Sequence, residues 1–167
     1  KSGIVIHDVS QKGNMLEVGS FDTSPDFSGD GFNGCWGVYP WLPSGLIIAS
    51  DMEEGLYVLS PTYMRGAYLE GLVKDAATNQ GINGVEVEIL AINEIDFTTN
   101  YGEFKMATLN SGTYDVVFSH PSYQNDTLYN VVMQNDSLTI VSILMYQLSP
   151  ITFNIETIKS TDNSPLS

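Results

Sequence analysis

Three oxygen-bearing side chains at alternate positions form the clearest candidate metal site: Asp26, Ser28 and Asp30, followed by Gly31. Calcium loops place carboxylate and hydroxyl oxygens at this spacing around a glycine turn. The closing acid of such a loop is missing, because the twelfth position is Gly37. The spacing therefore predicts a weak calcium site, with an ordinary Asx-rich surface loop as the alternative. We expect no other cofactor.

The remaining reactive side chains do not form a catalytic set in the sequence. His7 and His120 lie in different predicted units, so we do not expect them to share a metal ion or a proton. Cys35 has no base or cation beside it to activate its thiol, which favours a buried packing role. Glu86 and Glu88 lie on one solvated face of a predicted strand, which argues against a glycosidase pair. We therefore expect no catalytic residue and no enzyme activity.

Two tryptophans are the candidate ligand-binding residues. Trp36 and Trp41 lie close together in a segment rich in Gly and Pro, and aromatic faces of this kind stack on sugar rings. The alternative is that they fill the gap between neighbouring sheets. The sequence leaves both functions open.

Composition excludes several classes of function. The chain has 167 residues with 20 acidic and 6 basic side chains, for a net charge of −14. Six cations cannot supply the basic surface that nucleic acids require. No apolar run approaches the roughly 20 residues of a membrane span, so we expect no membrane insertion. A hydrophobic content of 43% predicts a folded core instead.

The elements that must position these residues are strands. Apolar residues alternate or occur in short runs separated by turn residues, as in Val85, Val87 and Ile89 against Glu86 and Glu88. The chain is predicted to be all-β. The predicted strands are 3–9, 15–21, 35–39, 46–50, 55–60, 67–74, 85–92, 103–108, 113–119, 127–133 and 138–146.

A change of pattern near Pro61 and Gly66 predicts a boundary between two units. The expected organisation is a first unit over residues 1–62, a linker over 63–67 and a second unit over 68–147. Residues 148–167 are expected to be a further linker or the start of another, truncated sandwich.

The first unit resembles the end of the β-propeller-like region of secreted "choice-of-anchor B" bacterial proteins, which is built from LVIVD repeats. The resemblance rests on Gly3–Ser10, Gly34–Pro40 and Ser44–Asp51, with Gly55–Leu59 after them. It implies the last blade or blades of a propeller. A propeller blade is a four-stranded sheet that buries its faces against neighbouring blades, so the missing blades are expected elsewhere in the parent chain or in another copy.

The second unit is similar to carboxypeptidase regulatory-like domains. The motifs are Gly71–Asp75, Gly84–Val87, Thr99–Phe104 and Ser111–Val116, followed by Ser119–Tyr123 at the family's "gly-tyr" turn. The resemblance implies a seven-stranded prealbumin-like β-sandwich without catalytic residues, which serves as a scaffold or binding module.

Short modification motifs also occur. The segments that begin at Asp126 and Asp136 read Asp-Thr-Leu and Asp-Ser-Leu, and the one at Asp22 reads Asp-Thr-Ser. They resemble the O-glycosylation motif of secreted Bacteroidetes proteins. Read from Asn125 and Asn135, the first two also fit the N-glycan pattern of eukaryotes. The candidate glycosylated residues are Thr127, Ser137 and Thr23.

Together these features predict a non-catalytic fragment of a secreted or cell-surface modular protein that acts in adhesion, recognition or extracellular assembly. The alternative is a carbohydrate-binding accessory module of a larger secreted enzyme. The expected partners are other domains of the same parent chain or copies of itself, together with extracellular glycans or cell-surface proteins.

Overall fold

The computed structural model describes residues 3–26 and 32–149. These residues form strands joined by turns and loops, with no helix among them, which confirms the all-β prediction. The strands are β1 (Gly3–Asp8), β2 (Leu16–Asp22), β3 (Cys35–Tyr39), β4 (Ile47–Asp51), β5 (Gly55–Leu59), β6 (Ala67–Asp75), β7 (Glu86–Ile89), β8 (Glu94–Phe97), β9 (Glu103–Thr108), β10 (Gly112–Ser119), β11 (Asp126–Met133) and β12 (Ser137–Met145).

The predicted strands agree with these bounds to within one residue at each end, except for the single strand predicted over 85–92. The structure replaces it with β7, a turn, and the additional strand β8. The turn contains Asn93 in the left-handed region, with φ of 52°. A four-residue strand that follows such a turn adds too little alternation to be separated from the strand before it.

Strands β6 to β12 form a sandwich of two sheets. One sheet has the order β11-β10-β7-β8 and the other β12-β6-β9. All neighbours are antiparallel except β12 and β6, which are parallel over nine residue pairs. The core between the sheets is fully apolar at its centre, with Leu69, Val73, Val87, Val116 and Phe118 inaccessible to solvent.

One glycine of the sandwich has a clear steric requirement. Gly102 precedes β9 with φ of +79°, in the left-handed region that favours glycine. A Cβ atom at Gly102 would also overlap the carbonyl oxygen of Val73. The backbone N–H of Val73 donates to the Gly102 carbonyl at 2.8 Å, so this turn is pinned against β6.

The first five strands form two smaller antiparallel sheets, β1-β2 and β3-β4-β5. The last blade or blades of a propeller, each a four-stranded sheet, were expected here, and the described residues of the first unit form no four-stranded sheet. The segment after β2 instead turns toward β4 and β5, where the Ser24 hydroxyl donates to Asp51 at 2.7 Å and the Tyr57 hydroxyl donates to the Thr23 carbonyl at 2.9 Å. These two hydrogen bonds attach the segment after β2 to β4 and β5, so β2 and β3 belong to different sheets.

Candidate functional site

An uncharged apolar face covers the outer side of the β3-β4-β5 sheet. Ile48 lies at its centre, opposite Tyr39 on β3 and Val58 on β5, with Leu56 two residues before Val58. The inner side of β4 is buried at Ile47, Ala49 and Asp51, so the alternate residues must point outward. Exposed apolar surface of this kind marks interaction sites in soluble proteins. We refer to Tyr39, Ile48, Leu56 and Val58 as the outer face.

The two tryptophans are at or near β3, close to the outer face in sequence. Trp36 is the extra residue at a register shift between Cys35 and Gly37, and Trp41 lies two residues after the end of β3. Their exposed fractions are 71% and 78%. They do not fill a gap between the described sheets, so their rings are free to contact a ligand.

A groove of about 380 Å³ separates the β1-β2 sheet from the β3-β4-β5 sheet. It is lined by aliphatic and aromatic side chains together with the hydroxyl residues Ser20, Ser60 and Thr62. Its size and lining are typical of small-molecule or side-chain sites. The principal lining residues are Ile4, Ile6, Val18, Phe21, Ile47, Leu59 and Tyr63.

Asp51 fixes the turn between β4 and β5. Its Oδ1 accepts hydrogen bonds from the backbone N–H groups of Glu53 at 3.0 Å and Glu54 at 3.1 Å. Burial by itself raises the pKa of Asp51, but hydrogen bonds from Thr23, Glu54 and Ser24 outweigh it and hold the pKa well below its usual range. The carboxylate is therefore a structural acceptor with a fixed charge.

Asp8 connects the first strands to the sandwich. Its Oδ1 accepts from the backbone N–H of Ser10 at 2.9 Å, and its Oδ2 accepts from the buried N–H of Gly66 at 3.0 Å. Burial by itself raises the pKa of Asp8, but these hydrogen bonds outweigh it and lower the pKa to about 2. The Tyr68 hydroxyl lies buried nearby without a hydrogen bond of normal geometry to the described residues, and burial raises the pKa of Tyr68.

A second contact joins the β1–β2 loop to the outer surface of β6 and β9. The side-chain amide of Asn14 donates to the Met106 carbonyl at 3.1 Å and to Glu70 at 3.4 Å. Lys105 donates to the Lys12 carbonyl at 2.9 Å and pairs with Glu70 at 3.3 Å. Asn14 is buried by this contact, so the loop is seated on the sandwich rather than free in solvent.

The predicted linker is hydrogen-bonded to the β11–β12 turn. Arg65 pairs with Asp136 at 2.8 Å, and the Arg65 backbone carbonyl accepts a hydrogen bond from the Asn135 side chain at 2.7 Å. The Gly66 carbonyl accepts from the Asp136 N–H at 2.9 Å. We refer to Asp8, Asn14, Arg65 and Gly66, with their partners, as the joint. The joint ties the first strands to the sandwich at two places, through Asp8 and through the β1–β2 loop, and it ties the linker to the β11–β12 turn at a third.

The far end of β12 is fixed by Asp75. Its Oδ1 accepts from the N–H of Thr78 at 2.7 Å, while its Oδ2 accepts from the Tyr123 hydroxyl at 2.9 Å and the Gln147 amide at 3.0 Å. The hydrogen bonds, with that from Thr78 first, lower the pKa of Asp75 to about 2. Tyr123 belongs to the predicted "gly-tyr" turn, so the resemblance correctly selected a structurally important residue.

The modification candidates fall in different environments. Ser137 is exposed at the start of β12, and Thr127 is partly exposed on the edge strand β11. Thr23 is fully buried beside Asp51. Because a sugar cannot reach a buried hydroxyl in the folded protein, Thr127 and Ser137 are the accessible residues among the three candidates.

Most of the calcium motif lies outside the described residues, because Ser28 and Asp30 fall within 27–31. Asp26 is in a turn after β2. In the part of the chain that the structure describes, no group of three or more His, Cys, Asp or Glu side chains could hold a metal ion. The same part contains no helix with the length and apolar character needed to cross a membrane.

The remaining reactive residues are separate from one another. His120 accepts from the Ser122 N–H at 3.1 Å and packs edge-on against Tyr123, which is a structural role. The prediction that Cys35 is buried is wrong, because its thiol is partly exposed on the edge strand β3. Its sulfur donates only to the Gly37 carbonyl, at 3.6 Å. No catalytic constellation arises from the residues proposed in sequence.

Sequence patterns did not identify the joint. Asp8 and Gly66 are 58 residues apart, and Asn14 and Met106 are 92 apart. Judged by their sequence neighbours alone, these positions carry residue types typical of turns, namely Asp8, Asn14 and Gly66. The one available signal was Gly66, which marked the boundary without indicating that the boundary is hydrogen-bonded on both sides.

Residues 68–145 match the family model described as the carboxypeptidase regulatory-like domain. The match confirms the resemblance drawn from the motifs of the second unit, and β6 to β12 form the corresponding sandwich. No curated protein matches the chain.

Several solved structures are similar to parts of the chain. A chain from a type II cohesin–X-dockerin complex of Acetivibrio cellulolyticus has 20% identity and a TM-score of 0.42 over 48% of this chain and 58% of that chain. The minor pilin of Streptococcus agalactiae has 13% identity and a TM-score of 0.41 over 71% of this chain and 66% of that one. The group B streptococcus pilus 2b backbone protein has 12% identity and a TM-score of 0.36 over 64% and 50%. This chain therefore spans less than two thirds of each of these proteins.

Proposed function

We propose that this chain is a non-catalytic part of a secreted or cell-surface modular protein that acts in adhesion, recognition or extracellular assembly. The observation that carries the proposal is the joint, in which Asp8 and Asn14 fasten the first strands to the sandwich and Arg65 fastens the linker to it. A fastened pair of β units presents a binding surface in a constant direction. The sandwich supplies the rigid support, as expected of a scaffold domain.

The surface to be presented is the outer face with its two neighbouring tryptophans. Tyr39, Leu56 and Val58 are more than half exposed, although they extend from a sheet whose central strand, β4, is buried on its other side. The protein has a net charge of −14, yet the outer face carries no charged side chain. A partner held there would be bound through apolar contact, so raising the salt concentration should not weaken its binding.

The first unit is proposed to be the end of an LVIVD-type, propeller-like region of a choice-of-anchor B protein from a Bacteroidetes-like bacterium. In support, both small sheets are antiparallel and have open edges among the described residues, and one has an exposed apolar face. Neighbouring blades bury such faces in a propeller. Other domains of the parent chain, or copies of this one, would supply them.

The alternative function is that of a carbohydrate-binding accessory module of a larger secreted enzyme. The exposure of Trp36 and Trp41 favours it, since both indole rings are available for stacking on sugars. Binding to a glycan array that is lost in Trp36→Ala or Trp41→Ala would support this alternative. Tyr101→Ala is the matched control, because Tyr101 is a similarly exposed aromatic residue on the sandwich.

An extracellular location would also make the modification and calcium proposals testable. We expect additional sugar masses on Thr127 or Ser137 in the native protein, located by peptide mass spectrometry.

Calcium at Asp26, Ser28 and Asp30 should raise the melting temperature of the recombinant chain above its value in EDTA. An unchanged melting temperature would remove calcium from the proposal.

The proposed function is tested on the protein in its source cells. We expect the native polypeptide to have an intact mass far above 18.3 kDa, and external protease to cleave it on intact cells. A native mass equal to that of the sequence, with protection from external protease, would overturn the proposal of a modular surface protein. Turnover of a substrate by the isolated chain would overturn its non-catalytic part.

A further inference from the structure

The edge strands of the sandwich differ in how they are protected from pairing with another chain. The short strand β8 carries Glu94 and Asp96, and β9 carries Glu103 and Lys105. The Lys105 N–H is already bonded to the Asp96 carboxylate at 2.9 Å. On β11 the register is interrupted near Asn130, which has φ of 58°. Charges and bulges of this kind keep exposed edges from pairing.

The edge strand β12 has neither kind of protection. Its nine residues, Ser137–Met145, include no charged residue, proline or glycine. It pairs with β6 without interruption, and no strand within residues 3–26 and 32–149 pairs with its other side. Ile140 and Leu144 are 74% and 48% exposed. β12 is thus a long, regular and apolar edge strand on a strongly acidic protein.

Hydrogen bonds at the end of β12 show which backbone groups point away from β6. The Met145 carbonyl accepts from Ala76, directly after β6, at 2.9 Å, whereas the Tyr146 carbonyl accepts from Gln124 at 2.8 Å. Successive residues of a strand direct their backbone groups to opposite sides. The residues whose N–H and C=O groups point to the open side are therefore Leu138, Ile140, Ser142 and Leu144.

We propose that β12 pairs antiparallel with β12 of a second copy of this chain, about a twofold axis at Ser142. This inference rests on the proposed assembly function and names the surface that performs it. In this register Ser142 faces Ser142, and Ile140 faces Leu144 of the other copy. Ile140, Ser142 and Leu144 then direct their backbone groups toward the partner strand, as a hydrogen-bonded antiparallel pair requires. The pairing ends at Leu144, because the open side is already bonded to residues 122–124 at Tyr146 and Leu148.

The register and the lack of charge on β12 favour a second copy as the occupant, because the open edge is complementary to itself about Ser142. β12 has no charged side chain for an oppositely charged partner to recognise, and no carboxylate on β12 would face the other copy. The rest of each copy is acidic, with a net charge of −14. Pairing should therefore strengthen as salt screens the repulsion between the two copies, whereas a basic partner would bind more weakly.

The test is sedimentation velocity of the full chain over a concentration series in about 50 mM and about 500 mM NaCl. We expect the mass to rise from 18.3 kDa to twice that value, with a lower midpoint concentration at the higher salt. A chain that remains monomeric at both salt concentrations overturns the proposal. A monomer that is still found on the surface of its source cells overturns the β12 pairing alone and leaves the proposed function standing.

Two variants connect the dimer to this edge. Ile140→Glu places a carboxylate opposite the apolar Leu144 of the other copy, and Ser142→Pro removes the central N–H group from the open side. Each should weaken the dimer by at least about tenfold. Ile95→Glu is the matched control, since Ile95 is 49% exposed on the protected edge strand β8. Equal effects of Ile140→Glu and Ile95→Glu would overturn the proposal, and Ile140→Glu decides alone if Ser142→Pro fails to fold.

Discussion

The joint leads to a specific expectation for Asp8→Ala. The substitution removes the acceptors of the Ser10 N–H and of the buried Gly66 N–H. An unsatisfied buried N–H costs about 1–3 kcal/mol. We therefore expect the free energy of unfolding to fall by about 2 kcal/mol at pH 7. Glu94→Ala removes one exposed negative charge from the sandwich and serves as the control for net charge.

The pKa of Asp8 gives an independent check on this magnitude. A folded-state pKa of about 2 in place of 3.8 corresponds to at most about 2.4 kcal/mol at neutral pH, reduced by solvent screening. Because the folded pKa is depressed, this stabilisation is present above pH 3.8 and is lost as the pH falls from 3.8 toward 2.

The assay is urea unfolding followed by circular dichroism at a series of pH values from 7 downward. The difference between wild type and Asp8→Ala should be constant at neutral pH and should shrink below pH 4. A difference below about 0.5 kcal/mol at pH 7, or one that does not change with pH, would refute the assigned role of the carboxylate.

Three further substitutions test the sandwich, the joint and the tryptophans. Thr98→Val should lower the free energy of unfolding by about 2 kcal/mol, because the buried hydroxyl donates to the Ile82 carbonyl at 2.6 Å and accepts from the Val85 N–H at 2.9 Å. A change under about 0.5 kcal/mol in urea unfolding would contradict this role of the hydroxyl. Tyr68→Phe should leave the free energy of unfolding unchanged or raise it by about 1 kcal/mol, since the buried hydroxyl lacks a hydrogen bond of normal geometry to the described residues. A clear decrease in the free energy of unfolding would mean that the hydroxyl donates to Asp8. Trp36→Ala should change the melting temperature little, because the ring is 71% exposed; a large decrease would show that the indole packs against a surface within the fold.

The strands were predictable because their faces differ chemically. Val87 and Ile89 are buried while Glu86 and Glu88 are partly exposed, and the sequence alternates in the same way. The motifs also led to the sandwich, including Tyr123, which closes the β12 end through Asp75. In these places the local pattern and the tertiary contacts agree.

The features that sequence could not supply depend on long-range contacts. Asn14 is buried only because it meets Met106 across the joint, and no local periodicity encodes that contact. The exposure of Trp36 likewise depends on which sheet lies beside it, so the sequence favoured packing and left ligand binding as the alternative. The pairing of β12 with β6, and therefore which backbone groups of β12 point away from the sheet, follows only from the sheet order and register.

The fixed geometry of the joint is the central claim, and a distance measurement by pulsed electron paramagnetic resonance tests it most directly. Spin labels would be placed on Ser44→Cys and Tyr101→Cys in a Cys35→Ser background, since Ser44 and Tyr101 are exposed on opposite sides of the joint in sequence. We predict a single narrow distance distribution for the otherwise native chain, broadened when Asp8→Ala and Asn14→Ala are added. A distribution that is already broad without those two substitutions would show that the units move independently, and would contradict presentation of the outer face in a constant direction.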